Sequence, residues 1–512
     1  MDDTYGLPIQ VETAVVKPNG SSETLSDQSC TKTSYVHNTS AWLIGLPKQV
    51  RTTATSCAGY DAADPATQLK SAMHTSYDKL AYGATPTTGT ATSIAEIDGT
   101  GTSYSVVTDT TYDDLGRVRT LTHPGAGTTE TQYTPEAGGP VTATKTINAK
   151  GQATTTTFDP GRSLPLTVTD PNGRVSRSDY DSLGRLVKGW SPSRSAGGKS
   201  PNVVIDYEPA IATSSESRPA AVMVSTLKDD GSYAREVTLY DGLMREAQKQ
   251  SEAHGPGRII VDTDYDDHGL LHEQTGAYLA KGEPGTELFV PRSKSLIPSS
   301  VKHRYDGLER EIRSSVYHDG DYKYAAYTSY GWTSTYVDPA GSTAPKTRTY
   351  YDALGRVTSV KHYSQQAEDA KAGRTTAYDY DARGNRNKVT DPAGNVWSYV
   401  YDARGRVKSA SDPDSGTTET WYDVADRPNR VRNARGQETF TGTTSSGVSP
   451  MYGWALPLPL PSRSTPTTTH PAESASRQVR SGTPTTATTS TRSPATTPST
   501  TSPAARQSSR PM

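Results

Sequence analysis

Over residues 391–411 polar and bulky positions alternate. Val396, Ser398 and Val400 fall on one face and Trp397, Tyr399 and Tyr401 on the other, the period of two that an extended strand imposes. Asp391-Pro392-Ala393-Gly394 precedes this run and Asp402-Ala403-Arg404-Gly405 follows it. Both read as tight turns: Asp accepts from backbone N–H groups ahead of it, Pro presets φ, and Gly takes a position hostile to a Cβ. Gly405 is expected to be left-handed in a three-residue hairpin loop, with residues 406–410 as the return strand. The predicted unit is a β-hairpin of two short strands and two turns.

That unit recurs. Tyr-Asp occurs twelve times, beginning at Tyr60, Tyr77, Tyr112, Tyr180, Tyr240, Tyr265, Tyr305, Tyr351, Tyr378, Tyr380, Tyr401 and Tyr422. Four copies extend to YDxxGR: Tyr112, Asp113, Gly116 and Arg117; Tyr180, Asp181, Gly184 and Arg185; Tyr351, Asp352, Gly355 and Arg356; Tyr401, Asp402, Gly405 and Arg406. A second turn alternates with it, as DPNGR from Asp170, DPAGS from Asp338, DPAGN from Asp391 and DPDSG from Asp412. Tyr380, Tyr401 and Tyr422 are 21 residues apart; elsewhere the spacing drifts, so insertions are frequent. One hairpin is not stable alone in water, and neighbouring repeats must bury it. Tyr beside Tyr at ~4.8 Å strand spacing would contribute about 0.2–1 kcal/mol per pair. In this reading Tyr is a ladder residue and Asp a turn cap.

Composition supports that architecture. Leu, Ile, Val and Phe supply 71 of 512 residues, too few for a conventional aliphatic core, whereas Tyr reaches 30 and Gly and Pro reach 43 and 35. With 53 Lys+Arg against 55 Asp+Glu the net charge is −2, which argues against general nucleic-acid binding. No run approaches the ~18 apolar residues of a membrane span, and no signal peptide opens the chain.

Candidate chemistry is sparse. His268 and His272, followed by Glu273, have a metal-ligand spacing on a helix, but the YDDHGLLHE context puts His268 in a turn. Asp262, Asp264, Asp266 and Asp267 form an acidic run that lacks the sixth-position Gly of a calcium loop. Gly99-Thr100-Gly101 is a fragment of a phosphate-loop pattern, and no G-x-S-x-G elbow occurs. The expectation is a protein without catalytic residues, metal or cofactor. Arg117, Arg185, Arg356 and Arg406 recur at one geometric position. Such a stripe could bind anionic glycans; the competing reading pairs each Arg with the Asp of its own or an adjacent turn.

These repeats closely resemble the RHS/YD-repeat family, whose signature is YDxxGR, strand residues and a DPxG turn. The match runs from about Tyr60 to Gln437. The resemblance implies an all-β array of hairpins forming a spiralling shell, here incomplete. Bacterial members are secreted or surface proteins and commonly enclose a variable C-terminal toxin. Related shells occur in insecticidal toxin complexes, wall-associated proteins and teneurins. The stretch holding Cys30 and Cys57 looks like the region that precedes YD repeats in actinobacterial members, and with secretion implied the two are expected to form a disulfide. Toxin-bearing members release their cargo by aspartate-dependent self-cleavage, yet no Asp follows Asp426, so those residues cannot be placed. With the abrupt start at Met1, this leads to the expectation of a piece of a longer RHS protein.

The expected organisation is an irregular leader at 1–59, the repeat shell at 60–437, a transition at 438–460 and a disordered Ser/Thr/Pro tail at 461–512. The spans 191–220 and 279–300 read as loops or insertions. Ser, Thr and Pro make up 33 of the last 52 residues, a composition that cannot bury a core. Thr codons read one base earlier include those of Tyr and Asp, and residues 500–507 can be encoded so that the upstream frame gives Tyr-Asp-Ile-Ala-Gly-Arg-Gln. The tail therefore reads as frameshifted repeat, the alternative being a genuine linker. Two functions are open: a structural shell segment of a secreted toxin-bearing protein, or a surface adhesion or carbohydrate-binding protein. Expected partners are a C-terminal toxin domain or immunity protein, and glycan or cell wall.

Overall fold

The computed structural model describes residues 4–19, 22–195, 198–213, 217–339, 344–363 and 373–441. The expectations placed on the tail at 461–512, and on most of the transition before it, lie outside these residues. Among the described residues there are thirty-five strands, one 3-10 turn at Lys294–Leu296 and no α-helix. The chain is all-β.

Thirty-three of the strands form one antiparallel sheet, in which strands pair with their neighbours in the chain except that Tyr278–Ala280 returns to Arg258–Tyr265 and Leu271–Thr275 pairs with Ser299–Tyr305. A small hairpin, Ile211–Ala212 with Ser217–Arg218, stands apart from it. The sheet runs as a meander because most connections are tight turns, which join antiparallel neighbours; residues 54–68, 78–90 and 281–298 are longer connections. One strand divides its edge. Arg258–Tyr265 pairs along one side with Leu271–Thr275 and then with Tyr278–Ala280, the partner line bending between them.

Three expected spans need correcting. Residues 1–59 are not an irregular leader: Gln10–Asn19, Ser22–Asn38 and Leu43–Thr53 are long paired strands, the last hydrogen-bonded to Leu69–Tyr77 of the repeat body. Their sequences break the two-residue alternation with bulges, as between Ser34 and Tyr35, which hides the strand period. The span 191–220 likewise contains a sheet strand, Val203–Glu208. The sheet also passes residue 437, since Glu438–Phe440 pairs with Pro428–Arg432.

The core is distributed rather than central. Small buried clusters recur along the sheet: Cys30, Cys57 and Tyr60; Leu69, Ala72 and Ile97; Ala221, Val237 and Leu239; Ile260, Tyr278 and Ala280. In Val396–Tyr401 the half-buried face carries Trp397, Tyr399 and Tyr401, and the valines are exposed. Burial follows the aromatic face there, consistent with a chain poor in aliphatics.

Successive turns of a meander fall alternately on its two edges. The Tyr-Asp turns lie on one edge and the DPxG-type turns on the other. Late in the chain these edges meet: Ala403 N–H donates to the Gly99 carbonyl at 3.1 Å, and Val424 and Ala425 pack on Gly125. Arg404 lies between Glu96 and Asp426 at 2.8 and 2.9 Å, and Arg356 reaches Asp27 at 2.9 Å. The approach at Gly99 is close: a Cβ there would fall 2.6 Å from the Arg406 guanidinium, which would have to shift. The Tyr-Asp edge of the late strands thus packs on the DPxG edge of strands some three hundred residues earlier, forming a seam within the sheet.

Candidate functional site

The repeated Tyr-Asp turn is the feature with the most developed side-chain chemistry. Its backbone is the same at nine positions, beginning at Asp113, Asp181, Asp241, Asp266, Asp306, Asp352, Asp381, Asp402 and Asp423. In the copy at Asp402 the Asp N–H donates to the Arg406 carbonyl at 2.9 Å, and the Gly405 N–H returns to the Asp402 carbonyl at 3.0 Å. Gly116, Gly184, Gly355 and Gly405 have φ of 76°, 82°, 77° and 76°, the left-handed region where Gly avoids a Cβ clash. Met244, Glu309 and Asp426 take the same conformation without being Gly, at φ 61°, 61° and 62°. Those three turns depart from YDxxGR in sequence yet keep its geometry.

The Asp carboxylate divides its work. At Asp352, Oδ1 accepts from the backbone N–H groups of Leu354 and Arg356, both at 2.9 Å, while Oδ2 accepts from Arg356 Nε at 2.6 Å. The same pairing joins Asp113 to Arg117, Asp181 to Arg185 and Asp402 to Arg406 at 2.6, 2.7 and 2.7 Å. Donors surround a negative charge, so several of these carboxyls titrate below their ordinary range. At Asp181 the Arg185 backbone N–H is the main cause, and at Asp306 the Arg310 guanidinium. At Asp352 burial pushes upward but is overcome by hydrogen bonds from Arg356 and Leu354.

Each motif Arg then reaches the following repeat. The Arg117 guanidinium lies 4.4 Å from the ring centre of Tyr133, Arg185 4.2 Å from Tyr207, Arg356 4.9 Å from Tyr380 and Arg406 4.5 Å from Tyr422. Arg245 over Tyr265 and Arg310 over Tyr330 repeat the contact at 4.2 Å each. The hydroxyl of the covered Tyr donates back to the strand that follows its Arg: Tyr422 to the Val407 carbonyl at 2.8 Å, Tyr380 to Val357 at 2.8 Å and Tyr133 to Val118 at 3.0 Å. Asp, Arg and the next Tyr therefore form a clamp that crosses from one hairpin to the next.

This corrects the expected ring-on-ring ladder. The YD tyrosines of successive repeats are two strands apart, about twice the ~4.8 Å strand spacing, which is too far for direct stacking. The guanidinium of the intervening strand fills the gap. Register explains which Arg does so. Ser409 pairs with Glu419, and continuing that antiparallel register sets Arg406 opposite Tyr422. The spacing from each motif Arg to a later Tyr, centred on the intervening turn, is a sequence signal that reading the repeats one at a time does not exploit. Because the four arginines are engaged by Asp and Tyr, they do not form a free basic stripe.

Cys30 and Cys57 are joined by a disulfide with Cα atoms 4.9 Å apart, buried beside Tyr60. His268 is a turn residue, and Glu273 pairs with Lys302 at 3.2 Å. Among the described residues no group of three or more His, Cys, Asp or Glu is arranged to hold a metal ion. The acidic run is divided between roles: Asp262 accepts from Gln248 and from the Tyr278 hydroxyl, and Asp266 caps its turn. No helix among the described residues is long and apolar enough to cross a membrane.

An antiparallel meander with an Asp–Arg–Tyr clamp at six of its Tyr-Asp turns defines a class of protein, the YD-repeat shell. The family profile described as Teneurin YD-shell matches residues 332–437. Solved structures with the same fold include TcdB2-TccC3, at TM-score 0.66 and 16% identity over 81% of this chain, and TcdB2-TccC3-Cdc42, at 0.67 and 15% over 82%. A Photorhabdus luminescens Tc holotoxin pore matches at 0.65 and 15% over 82%. This chain spans 26%, 29% and 28% of those three chains. No curated protein matches it. The chain thus carries YD repeats and has the fold of an RHS/YD-repeat shell.

Proposed function

We propose that the chain is a wall segment of a secreted container that encloses or presents a C-terminal toxin region. Its role is structural, and it contributes no catalysis. The observation that carries this is the seam, in which the Tyr-Asp edge of the late strands packs on the DPxG edge of the early ones through Ala403, Gly99 and Arg404. A sheet that packs edge on edge as it continues builds wall, and the Asp–Arg–Tyr clamps hold successive hairpins in that wall. The likeness to Tc toxin structures supports the reading, one of them being described as TcdB2-TccC3 without its hypervariable C-terminal region. The buried disulfide fits an oxidising, extracellular setting.

The test is protection of cargo. The chain is co-expressed with the polypeptide encoded directly downstream, purified and treated with proteinase K. The expected result is that the downstream polypeptide copurifies and resists digestion until the shell is denatured. Digestion at the same rate with and without the chain would refute enclosure. Retention of the chain on cell-wall or glycan resin, with no protection of cargo, would favour the adhesion reading instead.

A further inference from the structure

The connection at residues 281–298 roofs a cavity of about 400 Å³ over the sheet face that carries Asp262 and Asp264. Its start is pinned by backbone hydrogen bonds. Gln250 accepts from the Gly285 N–H at 2.9 Å and donates to the Glu287 carbonyl at 2.8 Å, and Gln248 makes both bonds to Phe289 at 2.9 Å. Phe289 and Ile297 then pack on Ile260, Tyr278 and Ala280. Between these anchors Val290, Pro291 and Lys294 arch over the floor, and Lys294 lies against Gly320 in a neighbouring turn.

The floor is two rows of residues facing each other across adjacent strands. In the first, Asp264 stands opposite Glu273, and Glu273 opposite Lys302. Like charges directly opposite destabilise a sheet. Lys302 holds Glu273 at 3.2 Å, but Asp264 has no hydrogen bond or ion pair among the described residues. Asp262 shares its face, and its carboxylate accepts from two neutral groups, Gln248 Nε2 at 2.5 Å and the Tyr278 hydroxyl at 2.7 Å. Three carboxylates therefore line the cavity against one engaged ammonium, and Lys294 of the roof pairs with none of them. The second row is Thr275, Ser300 and Tyr317. Ser300 is 7% exposed, and its hydroxyl lines the cavity without a hydrogen-bond partner among the described residues. A buried hydroxyl left unpaired is costly unless something in the cavity bonds it.

We propose that this cavity binds an amino sugar, its ammonium at Asp264 beside Glu273 and a hydroxyl at Ser300. The excess of carboxylate calls for a cation. The cation is organic, because Val290, Pro291 and Ile297 give the cavity an apolar wall, and no group of three or more His, Cys, Asp or Glu among the described residues is arranged to hold a metal ion. Ser300 calls for a hydroxyl on the same molecule. Asp264 and Ser300 stand two strands apart, roughly 10 Å between backbones, a gap that a sugar ring bridges and a two-carbon amino alcohol does not. Such binding requires no cargo, so it is independent of enclosure.

Isothermal titration of the full chain with glucosamine, at mildly acidic pH where its amine is charged, tests this. Glucosamine is expected to bind saturably at one site. Glucose lacks the ammonium, butylamine lacks the hydroxyls and ethanolamine lacks the ring; each should bind about tenfold more weakly or worse. Asp264→Asn and Ser300→Ala should each weaken glucosamine about fivefold or more. Asp264→Glu keeps the charge and should retain binding. Asp379→Asn, which alters an exposed carboxylate paired with Lys388 elsewhere on the sheet, should leave binding unchanged. Glucose or ethanolamine binding as tightly as glucosamine would overturn the proposal. Undiminished binding by Asp264→Asn, or no saturable binding of glucosamine, would overturn it as well.

Discussion

Asp352 allows the two functions of the turn carboxylate to be separated. Asp352→Asn keeps an acceptor for the Leu354 and Arg356 backbone N–H groups and removes the charge that holds Arg356 Nε at 2.6 Å. The chain already contains this solution: Asn433 accepts from the N–H groups of Arg435 and Gln437, both at 3.0 Å. The side chains of Asp352 and Arg356 are partly solvated, so the pair is worth about 0.7 kcal/mol, within the usual range for exposed ion pairs. Asp352→Ala also strips two acceptor bonds from the backbone, at about 1 kcal/mol each, for a total of roughly 2.5 kcal/mol. Repeat arrays lose structure locally, so global melting would dilute the effect. Amide hydrogen exchange over residues 347–380 reads it directly. Asn should speed exchange about threefold and Ala on the order of 70-fold, by RT ln of the rate ratio. The span reaches residue 380 because Arg356 also covers Tyr380. Equal effects of Asn and Ala would show that the ion pair, not the backbone cap, holds the turn. No effect of either would refute the clamp.

Tyr422→Phe removes the hydroxyl bond to Val407 and leaves the ring under Arg406; it should cost about 1 kcal/mol, whereas Tyr422→Leu should cost more, and equal losses in a local exchange measurement would discount the guanidinium contact. Reducing Cys30–Cys57, which are 27 residues apart, should destabilise the first strands by about 3–4 kcal/mol in the chain-entropy model; unchanged protection of residues 22–60 under reductant would contradict it. Asp181, Asp306, Asp352 and Asp423 have carboxyls lowered by their turn donors. A lowered folded pKa gives stability that is present above the unfolded value, about 3.9, and lost as pH falls through the folded one. Near-ultraviolet dichroism of the tyrosines should therefore hold from neutral pH down to about 4 and fail below it, and failure already between pH 7 and 5 would assign acid sensitivity to other groups.

The strand period, the turn chemistry and the repeat are all local, and they were readable one hairpin at a time. Val396–Tyr401 alternates as its residues require, and Gly405 is left-handed because its turn has no other inexpensive solution. Five turns beyond the four full YDxxGR copies escaped a strict motif because hydrogen bonds, not residue identity, define them. Glu309 occupies the left-handed position that Gly takes elsewhere. The strands before Thr53 escaped because their bulges break the alternation.

By itself the sequence determined an all-β meander with Asp-capped turns and Tyr at every second strand, since each of these depends on contacts within a few residues. Three things were decided only by tertiary structure. Register across the intervening strand placed Arg406 against Tyr422 and replaced the expected stacking of rings. In the polar strand Glu246–Glu252, Gln248 and Gln250 are 2% and 0% exposed. Their amides bind the backbone of Phe289 and Glu287, so that a later segment covers them. The seam at Gly99 and Arg404 joins residues some three hundred positions apart. Its partners carry no mark in their own neighbourhoods, because the Arg406 guanidinium that lies against Gly99 is brought there only by the course of the whole sheet.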